Sequence, residues 1–185
     1  IPAENCLAMA EWVGGRFSMW SAIGLPLACA VGMDAFEDLL AGAREMDEHF
    51  LAAPFAENLP VVMALAGLWN IDFLGLDSLA VLPYDRRLHR FPAYLQQLEM
   101  ESNGKSVTRD GYAVEHTTGA VVWGEPGNNA QHSFFQLLHQ GTARMAMDFI
   151  APVNASSRFQ KQHDLALANC LAQAEAFAFG QTELQ

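Results

Sequence analysis

Three short apolar runs, separated by stretches with helical periodicity, constrain the fold of this chain most strongly. The runs cover residues 79–82, 120–123 and 149–150, and the first is closed by Pro83. Short apolar runs of this kind are typical of strands buried on both faces of a parallel sheet. Their alternation with helices predicts an α/β fold with a mainly parallel sheet flanked by helices.

Helical periodicity is present on both sides of these runs. An apolar stretch rich in small residues predicts a buried helix at 18–33, and mixed acidic and apolar positions predict an amphipathic surface helix at 35–50. Pro60 lies in the first turn of a helix expected to continue over 61–73. Further helices are predicted at 89–100, 133–140 and 164–177.

Two short segments carry turn signals. Asn103-Gly104 follows the helix predicted at 89–100 and is typical of a left-handed helix stop. Arg109-Asp110-Gly111 lies within 108–116 and predicts a turn that joins two short strands.

Composition excludes several classes of partner. Hydrophobic residues make up 51% of the 185 residues and charged residues 17%, which indicates a globular chain. The formal net charge of -11 argues against a nucleic-acid or anionic-membrane partner. The three cysteines are widely spaced, and the plain interpretation is three reduced thiols in a cytosolic protein.

Two polar segments carry candidate chemistry. Residues 100–105 (MESNGK) place Glu101 at a helix end, and residues 123–132 (WGEPGNNAQH) run from a strand through a Gly-rich turn to His132, expected in the first turn of a helix. A carboxylate and an imidazole can move a proton beside a carbonyl. Since parallel sheets bind ligands at the carboxyl ends of their strands, we expect both groups to reach one crevice. The alternatives are a solvated carboxylate and a structural histidine.

A Gly-Gly-Arg segment lies near the start of the chain. In residues 13–18 (VGGRFS), the glycines allow close backbone approach to a ligand and Arg16 supplies fixed positive charge. The alternative is an ordinary turn with a solvated arginine. The segment has neither the Walker pattern nor GxGxxG, and the histidines show no paired spacing, so the sequence does not indicate a catalytic metal.

Together these segments resemble the glucose-6-phosphate isomerase family. The similarity covers nearly the whole chain, in the family's order and spacing. The matching stretches are residues 13–24, 100–105, 123–132, 137–142 and 169–173.

The resemblance implies a sugar-isomerase (SIS)-like fold, with residues 1–185 as one region from the central portion of a longer two-domain enzyme. The implied reaction is the reversible conversion of glucose 6-phosphate to fructose 6-phosphate, in glycolysis and gluconeogenesis, without metal or organic cofactor. The implied partners are a phosphorylated hexose and a second copy of the chain in a cytoplasmic homodimer with shared active sites.

The resemblance also implies residue roles. Glu101 matches the base that moves a proton between C1 and C2 through a cis-enediol(ate). His132 matches the histidine that assists ring opening and comes from the neighbouring subunit. Arg16 matches the arginine that stabilises the enediolate, and Gly15 and Gln97 match positions lining the sugar.

The chain departs from the family's pattern in two ways. Ala130 stands where the family usually has glycine, within Gly127-Asn128-Asn129-Ala130-Gln131-His132, and we expect it to restrict the turn that aims His132. The family's phosphate-binding Ser/Thr-rich segment and its lysine near the C-terminus are not among these residues.

Two other functions compete with catalysis. The chain would be a non-catalytic sugar-phosphate-binding module, or an incomplete and inactive fragment of the isomerase, if the missing phosphate contacts are essential. A nucleotide-binding α/β domain is disfavoured because no Gly-rich phosphate fingerprint is present.

Overall fold

The computed structural model describes residues 2–155 and 158–180. The chain divides into two compact units, with the boundary between Gly67 and Leu68. The expectation that residues 1–185 form one region stays a prediction.

In the part of the first unit that the structure describes, the α-helices are α1 (Leu25–Val31), α2 (Met33–Ala52) and α3 (Leu59–Leu68), the last of which reaches the boundary. The surface helix predicted at 35–50 is confirmed as α2, in which only Phe36 is buried. On its exposed face Arg44 Nε lies 2.8 Å from Glu48 Oε1.

The buried helix predicted at 18–33 is wrong. Residues 22–24 form a 3₁₀ turn before α1, and within 18–33 only Ser18 and Gly24 are buried. The helix is short because Pro26 lies in its first turn and Gly32, at a φ of 90°, separates it from α2.

The helix predicted over 61–73 is present with an earlier start. Asn58 is buried and fixes its beginning: its side chain accepts from the Val61 N–H at 3.3 Å and donates to the Phe50 carbonyl at 2.7 Å. After α3 the backbone continues as a π-helical turn over Trp69–Phe73.

The second unit is built on a three-stranded parallel sheet. Its strands are β1 (Ser78–Pro83), β2 (Val121–Gly124) and β3 (Ala146–Ile150), in the spatial order β2-β1-β3. All three predicted strands are confirmed. Leu79 of β1 lies opposite Val122 of β2 and Ala146 of β3. Because β1 is central, its residues Ala80, Val81 and Leu82 are at most 1% exposed.

Among the described residues of the second unit, the α-helices are α4 (Phe91–Leu95), α5 (Gly127–Ala130), α6 (Phe135–Gln140) and α7 (Gln160–Phe179). The helix predicted at 89–100 is α4 followed by a π-helical turn over Gln96–Glu101, and the helices predicted at 133–140 and 164–177 are α6 and α7. The α/β fold class, with a parallel sheet flanked by helices, is therefore confirmed.

The core of the second unit lies where α5, α6 and α7 meet the end of β1. Its buried members are Leu82, Tyr84, Ala130, Phe135 and Cys170. Burial raises the pKa of the Cys170 thiol, as expected of a structural cysteine that is not a nucleophile.

The structure differs from the prediction at both turns. The left-handed stop at Asn103-Gly104 is wrong, since neither residue has a positive φ. The turn at 109–111 is present and Gly111 has a φ of 83°, but the strands beside it reduce to a single antiparallel bridge between Val107 and Ala113.

None of the helices in the described ranges is long and apolar enough to cross a membrane.

The last residue of β2 generates a stability prediction. A Cβ on Gly124 would lie 1.9 Å from the Val81 carbonyl oxygen, and Gly124 has a φ of 154°. We expect Gly124→Ala to separate β2 from β1 and to lower the free energy of unfolding by about 3 kcal/mol or more. Gly42→Ala is the matched control, because a Cβ there meets nothing within 4 Å in the middle of α2. It should raise stability by up to about 1 kcal/mol. Equal denaturation midpoints for the two variants would contradict the close approach of β2 to β1.

Candidate functional site

Glu101 and Gln97 lie on the π-helical turn over Gln96–Glu101 that continues α4. They are four residues apart and both are exposed, so they lie near one another on the helix surface. Gln96 anchors the turn, since its Nε2 donates to the Val122 carbonyl of β2 at 3.0 Å. Wide helical turns of this kind are rare and occur frequently at functional sites.

Local hydrogen bonds complete the helix end after Glu101. The Lys105 ammonium donates to the Glu101 backbone carbonyl. Asn103 Nδ2 donates to Glu99 Oε1 at 2.8 Å. A cation near the last carbonyls of a helix interacts favourably with its negative end. These contacts take the place of the left-handed stop predicted from the sequence.

His132 lies in the turn between α5 and α6, and not in the first turn of a helix as predicted. Its backbone N–H donates to the Asn129 carbonyl at 3.0 Å, and α6 begins only at Phe135. The His132 side chain is exposed. Its direction therefore depends on the backbone of the short helix that precedes it.

Ala130 belongs to the core and closes the turn before His132. It is 0% exposed, and its N–H donates to the Pro126 carbonyl at 3.0 Å. The Ala130 methyl therefore packs against core residues such as Tyr84 and Phe135, in the place where the family usually has glycine. The expected effect of this departure on the direction of His132 stays a prediction.

Glu101 and His132 lie at opposite ends of β2. Just before β2 begins, a Cβ on Gly119 would lie 3.3 Å from the Asn103 Cβ, which places the end of the π-helical turn at the amino end of the strand. His132 follows the carboxyl end of β2 through α5, which packs on Tyr84 beyond the end of β1. Four residues of strand span about 10 Å. The two groups therefore approach β2 from different ends, and the single crevice expected from the sequence stays a prediction.

Gly15 and Arg16 lie together in a 3₁₀ turn over Gly15–Phe17 of the first unit. Gly15 has a φ of 55°, which glycine adopts without the steric cost of a side chain. Arg16 is half-buried, and its guanidinium carbon lies 5.5 Å from the centroid of the Phe17 ring. The turn thus presents an arginine beside a glycine backbone, as the sequence predicts.

Other histidines have structural partners. His139 stacks on Phe177 with a centroid distance of 4.0 Å and contacts Gln173 Oε1 at 3.1 Å. His163 Nε2 lies 3.2 Å from the Val153 carbonyl. Within residues 2–155 and 158–180, no group of three or more His, Cys, Asp or Glu side chains is arranged to hold a metal ion.

Sequence reasoning missed the contacts that anchor the two candidate segments. The π-helical turn at 96–101 has no recognisable sequence signal, since its residues are ordinary helix formers. The Gln131 side chain donates to Asn169 Oδ1 on α7, across a separation of 38 residues. Local patterns do not report a pairing of that range.

Comparison with known proteins finds matches along the whole chain. A family model described as phosphoglucose isomerase matches residues 1–185. The chain is 56% identical to a glucose-6-phosphate isomerase of Chlorobium phaeobacteroides, over 99% of this chain and 33% of that protein. It is 57% identical to one of Xanthobacter autotrophicus, over 98% of this chain and 34% of that protein.

A solved structure has the same fold. The crystal structure of a glucose-6-phosphate isomerase from Chlamydia trachomatis superposes with a TM-score of 0.81 at 40% identity, over 91% of this chain and 34% of that one. The chain spans about a third of the length of the curated relatives it matches. The match to the family model over every residue shows that the chain belongs to the phosphoglucose isomerase family.

Proposed function

We propose that this chain is part of an enzyme that interconverts glucose 6-phosphate and fructose 6-phosphate through a cis-enediol(ate). The observation that carries the proposal is the family match over residues 1–185, with Glu101 and Gln97 on an anchored and exposed π-helical turn. The relatives bear the name glucose-6-phosphate isomerase. We place the enzyme in the cytoplasm, and its reaction requires neither a metal ion nor an organic cofactor.

Glu101 acts as the base in this proposal. Isomerisation removes a proton from the carbon beside the carbonyl and returns it to the neighbouring carbon. An exposed carboxylate can reach both positions of a bound sugar. A positioned general base of this kind contributes a factor of about 10² to 10⁴ in rate.

Arg16 stabilises the negative charge that develops on the enediolate oxygen. A guanidinium does not lose its proton in proteins, so it keeps its charge beside the intermediate. By analogy with an oxyanion-hole donor, such a group contributes about 3 kcal/mol. Gly15 and Gln97 line the sugar, with the backbone of Gly15 exposed for close approach.

His132 assists opening of the sugar ring, and it serves the site of a second copy of the chain. The location of Glu101 and His132 at opposite ends of β2 supports this arrangement, because a second chain can bring its own imidazole to the end where the carboxylate lies. In this proposal the protein is a homodimer with shared active sites.

Exchange of Glu101 for glutamine tests the base. In the full-length protein, Glu101→Gln should lower proton exchange between C2 of the sugar and solvent by a factor of about 10² to 10⁴. The exchange is measured by NMR in deuterated water. Glu99→Gln is the matched control, since Glu99 lies on the same turn and bonds to Asn103. It should keep exchange near the wild-type rate, whereas wild-type exchange in Glu101→Gln would refute the assigned base.

The ring-opening role predicts a selective defect. His132→Ala should reduce turnover of glucose 6-phosphate by at least about 10²-fold. Turnover of 4,5-dideoxyglucose 6-phosphate, which lacks the hydroxyls that close five- and six-membered rings, should fall much less. His116→Ala is the control because it removes another exposed imidazole. Steady-state kinetics on both sugars measure the difference, and an equal loss on both would argue against ring opening.

Shared sites predict complementation between inactive variants. A dimer with Glu101→Gln in one chain and His132→Ala in the other has one site with both defects and one with neither. Subunit exchange between the two variant proteins should therefore restore activity, up to about half that of a wild-type dimer when every dimer is mixed. Mass spectrometry of labelled chains verifies the exchange. Absence of recovery in proven hybrids would count against shared sites.

A further inference from the structure

The short helix α5 (Gly127–Ala130), which carries His132, is fixed at its first residue by a ring. A Cβ built on Gly127 would lie 2.0 Å from Cε2 and 2.2 Å from Cζ of Tyr84. The Tyr84 ring thus rests directly on the Gly127 backbone. Tyr84 is 6% exposed, and its own N–H donates to the Ile150 carbonyl of β3 at 2.7 Å. The start of α5 is therefore attached to the sheet.

The other end of α5 is fixed by an amide pair. The half-buried Gln131 immediately precedes His132, and its Nε2 donates to Oδ1 of the half-buried Asn169. Asn169 lies on α7 beside the core residue Cys170. Burial of the Tyr84 hydroxyl raises its pKa.

His132 is exposed, and it is the residue directly after Gln131, whose side chain is held by Asn169. The segment before it is only four helical residues long, too short to hold its own conformation in water. A shift of about 1 Å in a reacting group can reduce a rate by as much as 10²-fold. The contacts that fix Gln131 therefore fix the backbone from which the imidazole extends.

We propose that Asn169 is a positioning residue that acts through its hydrogen bond with Gln131 to aim His132 at the ring oxygen of the bound sugar. The inference rests on the proposed function and deepens it. It assigns a role in ring opening to α7, which lies far along the chain from both candidate segments. Asn169 does not touch the sugar, so its loss affects the step served by His132 and leaves proton transfer at Glu101 in place.

Two substitutions at Asn169 in the full-length enzyme separate the hydrogen bond from the packing. Asn169→Leu keeps a branched side chain of similar shape and removes the acceptor, and it should reduce kcat/KM for glucose 6-phosphate about tenfold or more. Turnover of 4,5-dideoxyglucose 6-phosphate should fall less than about threefold, since that sugar needs no ring opening. Asn169→Asp keeps an acceptor oxygen and should stay within about threefold of wild type on both sugars.

Gln173→Leu is the matched control. Gln173 lies one turn further along α7, and its side chain contacts His139 of α6 at 3.1 Å. The substitution removes a hydrogen bond between α7 and α6 but leaves the bond to Gln131 in place. The ratio of rates on the two sugars should remain that of the wild type.

Gln131→Met tests the same bond from the donor side if Asn169→Leu does not fold. It should reproduce the selective loss, and where both variants fold, the double variant should be no worse than the more impaired single variant. Equal losses on both sugars, or wild-type kinetics in Asn169→Leu, would overturn the inference.

Failure of the proposed function gives a different result. A wild-type enzyme that does not isomerise glucose 6-phosphate, or a His132→Ala variant without a selective defect, overturns the proposed function and this inference together. A selective defect in His132→Ala without one in Asn169→Leu or Gln131→Met overturns the inference alone.

Discussion

The parallel pairing of β1 with a strand on each side is the constraint on which the second unit depends. Residues 80–82 of β1 are almost fully buried, and the chain on either side of the sheet is placed relative to them. The Val122 carbonyl of β2 receives the Gln96 side chain, and Tyr84 follows directly from β1 to support α5. Loss of the β1 pairings would therefore displace both segments that carry the candidate chemistry.

Parallel strands also separate those two segments. A crossover between parallel neighbours must return the chain from the carboxyl ends to the amino ends of the strands. The turn with Glu101 belongs to such a return, whereas α5 follows a strand directly. The Glu101 carboxylate therefore lies toward the amino end of β2, and the His132 imidazole follows its carboxyl end. Under the proposed function, a second chain would bring its imidazole to the carboxylate of the first.

The sequence predicted the regular parts of this fold better than the irregular ones. The strands were predictable because residues 79–82 form an apolar run closed by proline, which suits a strand buried on both faces. The helix predicted at 18–33 is wrong because apolar content alone does not show burial, and Gly32 breaks the backbone there. The roles of Glu101 and His132 came from family motifs, since a lone carboxylate or imidazole has no distinctive local pattern. Their separation across β2 depends on strand order, which no local pattern contains.

Both candidate segments are short irregular backbone held by a neutral amide. Gln96 ties the π-helical turn to a backbone carbonyl of β2, and Gln131 ties the end of α5 to Asn169. Amide side chains do not titrate in the working pH range. Contacts of this kind keep their geometry while neighbouring acids and bases gain and lose protons. A salt bridge in the same place would add two charges beside each segment, and its strength would vary with pH and salt. Neutral anchors thus hold the backbone of both candidate segments without placing a further charge beside Glu101 or His132.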